Sequence, residues 1–180
     1  MSRAIILGIA CLLFAGCSSS NGPTPAPAAS LNAEHVLNQA LAQAKAEDKR
    51  VLVYLSAPWC KWCHVLEDML RQNAALFQPD YLIVKIDVDE MEHGQEVQAK
   101  LYGSQRSDIP WMAILDSDGH ELINCDGPRG NIGCPFTAEE RAYFRQMIDT
   151  TAQHSSPEHR SQIAAGVQAF AEKWQAAQVP

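Results

Sequence analysis

Two cysteines separated by two residues carry the clearest chemistry in this sequence. Cys60 and Cys63 lie directly after an apolar run and directly before residues with helical spacing. Thiols at this spacing form and break a disulfide reversibly, and the partial positive charge of a helix N-terminus favours the attacking thiolate. We expect Cys60 to be the exposed nucleophile and Cys63 to resolve the mixed disulfide that Cys60 forms with a substrate. Lys61 adds a weaker push toward the thiolate.

The segments around this pair predict an α/β domain in which a buried strand delivers the cysteines to the start of a helix. Apolar residues at three- and four-residue spacing indicate helices, and continuous apolar runs with β-branched residues indicate strands. The predicted helices cover residues 31–48, the turns after Cys63, 92–102, 137–150 and 157–177. The predicted strands cover 51–55, 81–88, 109–115 and 120–123, the last two joined by an Asp-Gly turn as a hairpin.

The stretch Ala57-Pro58-Trp59-Cys60-x-x-Cys63 after a hydrophobic strand resembles the thioredoxin superfamily, over about residues 45 to 150. The resemblance implies a thioredoxin fold, with a central mixed β-sheet flanked by helices and extra N-terminal and C-terminal helices. Pro110 falls where that family keeps a cis-proline beside the active cysteines. The implied role of Ile109 is to offer its backbone to a substrate peptide. Trp59 matches the family tryptophan and is expected to contact substrate.

A proton relay is the next element that the resemblance implies. Thioredoxin places an Asp in the strand before the motif, where this chain has Tyr54. Glu67, four residues after Cys63 on the same helical face, resembles the Glu found after CxxC in the thioredoxin-like domain of DsbD. We expect Glu67 to be the proton relay, with Lys85 as its charge partner. The alternative is that Glu67 is a solvated helix residue.

A second cysteine pair, Cys125 and Cys134, lies in a loop rich in Gly and Pro that is expected to rim the active site. A structural disulfide that closes this loop is the favoured interpretation. The alternative is a second redox pair that exchanges with Cys60 and Cys63. Among the other tryptophans, Trp62 is a candidate for an aromatic substrate surface. Core packing is expected for Trp111 and Trp174.

Two cofactor hypotheses compete with disulfide exchange and are disfavoured. Cys-x-x-Cys-His also fits the covalent attachment signal for c-type haem, but the apolar strand before it and the Ile-Pro after it follow the thioredoxin pattern. A zinc site with His64 would need its remaining ligands from the distant pair Cys125 and Cys134. The predicted chemistry therefore uses no cofactor and no metal.

The N-terminal segment predicts export and a lipid anchor. Residues 1–16 resemble a lipoprotein signal peptide, and Leu13-Phe14-Ala15-Gly16-Cys17 resembles a bacterial lipobox, so that Cys17 would become the acylated N-terminus. Residues 17–30 are predicted to be a flexible linker and residues 31–180 the folded domain. Ser18 favours the outer membrane over the inner membrane. We expect a protein on the periplasmic side of a bacterial membrane, held by acyl chains.

The predicted function is thiol–disulfide exchange on exported proteins, in the reducing direction, with electrons from a membrane donor such as DsbD. A disulfide oxidase or isomerase is the first alternative, and a non-catalytic binding or chaperone module is the second. The net charge is −7 and the sequence has no block of Lys or Arg residues, so we do not expect it to bind nucleic acid, which requires clustered basic residues. A single CxxC and no dimerisation helix predict a monomer.

Overall fold

The computed structural model describes residues 31–106 and 108–178. The helices in this part of the chain are α1 (Ala33–Glu47), α2 (Lys61–Gln72), α3 (Ala74–Phe77), α4 (Gly94–Tyr102), α5 (Ala138–Thr151) and α6 (Pro157–Ala176). The strands are β1 (Arg50–Ser56), β2 (Tyr81–Asp87), β3 (Trp111–Leu115), β4 (Glu121–Asn124), β5 (Asp126–Gly127) and β6 (Gly130–Asn131). The predicted signal peptide, Cys17 and the linker lie outside the described residues.

A mixed four-stranded sheet forms the centre of the fold, with the order β2-β1-β3-β4. Strand β1 pairs in parallel with β2 and antiparallel with β3, and β3 and β4 form the predicted hairpin. Residues 51–56 of β1 are all buried, as expected of a central strand that is covered on both faces. The predicted central mixed sheet flanked by helices, with extra N-terminal and C-terminal helices, is confirmed.

The predicted elements agree with the structure to within a few residues, with two additions. The short helix α3 was not predicted, because four residues are too few to show a helical period. The loop after Cys125 contains a small antiparallel ladder of β5 and β6 rather than irregular chain alone. The capping box at Thr137 and Glu140 is present and starts α5.

The corner between α5 and α6 is fastened to the sheet by Asp80, which lies directly before β2. This fully buried carboxylate accepts hydrogen bonds from the backbone N–H groups of Gln153 and His154, both at 2.6 Å, and from the Ser155 hydroxyl. Burial alone raises the pKa of Asp80, but these donors outweigh burial and hold that pKa below its ordinary value. These hydrogen bonds therefore fix the direction in which α6 leaves the corner.

None of the helices within residues 31–106 and 108–178 combines the length and apolar character that a membrane crossing requires.

Candidate active site

The cysteine pair lies at the start of α2 and is joined as a disulfide. Cys60 is the N-cap residue of the helix, and its Sγ accepts the backbone N–H of Cys63 at 3.2 Å. The two Cα atoms are 5.2 Å apart. In the reduced protein this N–H and the helix N-terminus would favour a thiolate on Cys60. Cys60 is 5% exposed and Cys63 is 0% exposed, so the predicted exposure of Cys60 is wrong for this state of the protein, and Cys60 is only slightly more accessible than Cys63.

The turn that presents the cysteines is built from local hydrogen bonds. The Ala57 carbonyl accepts the N–H of Cys60 at 3.0 Å, which bends the chain out of β1 and into α2. His64 Nε2 lies 2.9 Å from the Pro58 carbonyl, an acceptor, so this ring nitrogen carries the hydrogen. His64 thus closes the turn. With both sulfurs joined to each other and His64 used in this way, the motif serves a disulfide site.

The cis-proline segment lies against the first cysteine. The peptide bond between Ile109 and Pro110 is cis, as the resemblance implied. The Ile109 carbonyl oxygen is 3.6 Å from Cys60 Sγ, while Cys63 Sγ faces the Leu55 carbonyl inside the sheet at 3.9 Å. The two sulfurs therefore have different neighbours, one at the surface edge and one in the interior.

Glu67 lies one helical turn after Cys63 and forms an ion pair with Lys85 on β2, at 3.1 Å. Both side chains are about one-third exposed (36% and 33%), so Glu67 is held at the sheet and is not a freely solvated residue. Tyr54 is opposite Lys85 in the sheet register. Burial, and secondly the charge of Glu67, raise the pKa of Tyr54 above its ordinary value. The expected charge partner is present; the relay role stays a prediction.

A groove of about 420 Å³ lies beside the disulfide. Its walls are the CxxC turn, the cis-proline segment and the loop that follows the hairpin. The side chains that line it include Trp62, Ile109, Pro110, Cys134 and Phe136. The groove thus has a mainly apolar lining that includes Trp62 of the CxxC turn and both residues of the cis peptide bond.

Three aromatic rings join this groove to the C-terminal helix. Trp62, between the cysteines, contacts Phe136 and Trp174 with ring centroids 5.5 and 5.1 Å apart. Phe136 and Trp174 are themselves 4.7 Å apart. We call these residues the aromatic cluster. The sequence showed Trp174 only as a packing residue of an amphipathic helix and gave no signal for Phe136.

The remaining tryptophans divide as expected. Trp59 is 69% exposed beside the disulfide, and its indole N–H donates to Asp89 at 2.7 Å. Trp111 is buried, packs on Tyr102 at 4.6 Å between centroids and donates to Asp126 at 3.3 Å. The predicted core packing of Trp111 is confirmed, whereas the substrate contact of Trp59, an exposed ring, stays a prediction.

Cys125 and Cys134 do not form the expected disulfide in the structure, where both are free and buried. Cys125 Sγ accepts the Met112 N–H and donates to Asn131 Oδ1, both at 3.1 Å, while Cys134 lines the groove. Each thiol is thus engaged with its own surroundings, and sequence spacing could not reveal that their side chains point to different neighbours. Burial raises the pKa of both thiols to about 12.

No three His, Cys, Asp or Glu side chains in the described ranges are grouped as metal ligands.

Comparison with known proteins finds one family model and several solved structures to which this chain is similar. Residues 32–117 match the family model described as thioredoxin-like. A redox protein from Chlamydomonas reinhardtii is similar at 17% identity over 79% of this chain and 44% of that one, with a TM-score of 0.50. A disulphide isomerase from Xylella fastidiosa Temecula1 is similar at 22% identity over 87% and 99% of the two chains, with a TM-score of 0.48. No curated protein sequence matches significantly.

Proposed function

We propose that this chain, whose residues 32–117 match the thioredoxin-like family model, is a thiol–disulfide oxidoreductase that reduces disulfides in exported proteins. The observation that carries the proposal is the position of Cys60, which is capped by the Cys63 N–H and faces the Ile109 carbonyl. One sulfur is thereby activated and placed at a peptide-binding edge. The other is kept inside, within bonding distance of the first.

The proposed reaction exchanges one disulfide for another. The Cys60 thiolate attacks one sulfur of the substrate disulfide, and the other substrate sulfur leaves as a thiolate that takes a proton from solvent. The Cys63 thiolate then attacks Cys60 Sγ and releases the second substrate thiolate. Substrate is reduced by two electrons and the Cys60–Cys63 disulfide forms. A dithiol donor, such as a membrane reductase of the DsbD type, must then reduce that disulfide.

The direction of electron flow is proposed from two features. Ile109 before the cis-proline resembles reductases more than the strong oxidant DsbA, and Glu67 paired with Lys85 is the arrangement expected of a relay that deprotonates Cys63. The dipeptide Lys61-Trp62 between the cysteines matches neither type, which leaves oxidase or isomerase activity as the alternative.

The proposed setting is the periplasmic face of a bacterial membrane, with the outer membrane favoured. It is supported by the lipobox-like sequence that ends at Cys17 and by the Ser- and Pro-rich residues that follow it. A lipid anchor on a spacer would hold a monomeric domain near the membrane donor and near newly exported proteins.

The test is the reduction potential of the Cys60–Cys63 couple in a chain that begins at Ser18, with Cys125 and Cys134 replaced by Ser. A value near the roughly −270 mV of thioredoxin supports the reductase, and a value near the roughly −120 mV of DsbA refutes that direction. The Cys60→Ser variant is the matched control and must lose all exchange. The visible spectrum of the same sample tests for haem.

A non-catalytic binding or chaperone module is the second candidate, favoured by the apolar groove beside the cysteines. If Cys60→Ser retains both substrate-protein binding and the cellular function, the chain is such a module. If it retains binding and loses function, the chain is an oxidoreductase.

A further inference from the structure

Asn131, in the two-residue strand β6, uses its whole side-chain amide to join three segments. Nδ2 donates to the carbonyls of Asp108 and Pro110, both at 3.0 Å. Oδ1 accepts the Gly133 N–H at 2.8 Å and the Cys125 thiol at 3.1 Å. A side-chain amide offers two N–H donors and two acceptor lone pairs, so these four bonds satisfy it completely.

The two carbonyls held by Asn131 flank the residue expected to pair with substrate. Asp108 and Pro110 are the neighbours of Ile109, and their carbonyl groups turn toward the Asn131 amide. The carbonyl of Ile109 points instead toward Cys60 Sγ, at 3.6 Å. The carbonyl of Ile109 therefore faces the nucleophile, while the carbonyls on either side of it face the opposite way and are bound to the Asn131 amide.

We propose that Asn131 is a positioning residue that fixes the edge formed by Ile109 and Pro110 for substrate pairing, and that the Cys125 thiol orients the Asn131 amide. The proposal rests on the proposed disulfide-exchange function and deepens it by assigning the element that aligns the substrate chain. Asn131 itself touches no reacting atom.

Cys125 gains a role here that does not require a disulfide. Its sulfur is held by the Met112 N–H and gives its hydrogen to Asn131 Oδ1. Because burial raises the pKa of Cys125 to about 12, the thiol keeps that hydrogen at neutral pH. The donor ensures that the oxygen of the amide, and not its NH₂ group, faces Cys125. The NH₂ group is thereby directed at the two carbonyls.

The substitution Asn131→Asp preserves the shape of the side chain and removes its N–H donors. The new carboxylate would face the carbonyls of Asp108 and Pro110, and the Asp108 carboxylate oxygen lies 3.5 Å from the present Nδ2. The backbone on either side of Ile109 would lose two hydrogen bonds, and the new carboxylate would repel the oxygens that it faces. The matched control is Asn124→Asp at the end of β4, which makes the same exchange of an amide for a carboxylate away from the Ile109 edge: it loses an exposed bond to Glu121 and keeps the bond in which Oδ1 accepts the Asp126 N–H.

The experiment compares two electrophiles on the full chain carrying Cys63→Ala, which isolates attack by Cys60. One electrophile is a short peptide whose cysteine is activated as a mixed disulfide with thionitrobenzoate, and the other is the small aromatic disulfide alone. Only the peptide has a backbone that can pair with Ile109. We expect Asn131→Asp to slow the peptide reaction about 10-fold to 10²-fold, as displaced alignment does, and to change the small-disulfide rate less than about twofold. Asn124→Asp should leave both unchanged.

Equal loss of both rates in Asn131→Asp, or loss of neither, would overturn the proposal. If that variant does not fold, Cys125→Ala decides in its place, because it removes one of the two donors to Oδ1. A peptide-to-small-disulfide ratio equal to that of the parent chain would then refute the proposal.

A parent chain that reacts with neither electrophile would contradict the proposed function. The positioning role of Asn131 would then be tested by peptide binding instead of by reaction rate. The same peptide with Ser in place of cysteine, followed by tryptophan fluorescence, should bind more weakly to Asn131→Asp. Unchanged affinity in that assay would refute the positioning role.

Discussion

Asp80 is expected to be the polar residue on which the placement of the C-terminal helices depends most. Its buried carboxylate accepts three backbone N–H groups and one hydroxyl from the chain between α5 and α6. Asp80→Ala removes the acceptor that these donors share and leaves them without it, the Ser155 N–H in a buried position and the other two N–H groups in partly buried ones. Asp80→Asn keeps one oxygen and places an NH₂ group beside donors.

The expected cost follows from those contacts. Hydrogen bonds to a charged acceptor contribute about 1.5–3 kcal/mol each, and contributions at one site are not additive. Because several donors lose their acceptor together, we expect Asp80→Ala to lower the unfolding free energy by at least about 3 kcal/mol, the upper value for one such bond. About 1–3 kcal/mol is expected for Asp80→Asn, which leaves fewer unpaired donors. Either loss is large against the roughly 5–15 kcal/mol of a whole domain.

The pH dependence has a defined sign. The folded state lowers the pKa of Asp80, so the unfolded chain binds the proton more tightly. The stabilisation is therefore complete above the unfolded pKa of about 3.9 and is lost as the pH falls through the lower, folded pKa. In Asp80→Asn this part of the acid destabilisation should be missing.

The assay is guanidinium unfolding of the parent chain and both variants, at neutral pH and at a series of acidic pH values. A loss below about 0.5 kcal/mol for Asp80→Ala, the range of an ordinary surface substitution, would refute the reasoning. An unchanged acid transition in Asp80→Asn would refute the pH argument alone.

Three further predictions concern the site. Trp174→Ala removes two of the three ring contacts in the aromatic cluster and should lower unfolding free energy by at least about 1–3 kcal/mol; an unchanged denaturation midpoint would contradict it. Glu67→Gln should slow the resolving step of Cys63 roughly 10²-fold if Glu67 relays the proton; an unchanged pH–rate profile in stopped flow would reject the relay. Cys125 and Cys134, whose pKa values burial raises to about 12, should resist iodoacetamide at mildly alkaline pH in the folded chain and react when it is unfolded. A chain that begins at Ser18 and takes up no label after unfolding would show that these two thiols are bonded.

Much of the framework could be predicted because its signals are local. The apolar run before the CxxC marks β1, the capping box at Thr137 marks the start of α5, and the Ile-Pro dipeptide marks the cis-proline by resemblance. Each signal is contained in a few consecutive residues. The position of the reactive pair, at the end of a strand and the start of a helix, follows from the same local patterns.

The residues that escaped prediction act over long distances in the chain. Asp80 and Asn131 are single polar residues that bind backbone groups of remote segments. Such bonds leave no periodicity in the sequence. The positions of Cys125 and Cys134 in one loop suggested a cross-link that the structure does not contain. Spacing could not exclude it, since spacing contains no information about the direction of each Cα–Cβ bond. The aromatic cluster required the register of α6 against the CxxC turn, which is decided by packing.

The aromatic cluster connects α6 to the turn that carries the cysteines. Trp174 lies in the last turns of α6, yet it supports Trp62 within the reactive turn. Fraying or proteolytic trimming of this terminal helix would therefore free the turn from one of its supports without touching a cysteine. A tag fused after the last helix could alter measured exchange rates for the same reason. We therefore expect changes in α6 to alter the reactivity of the disulfide from a distance.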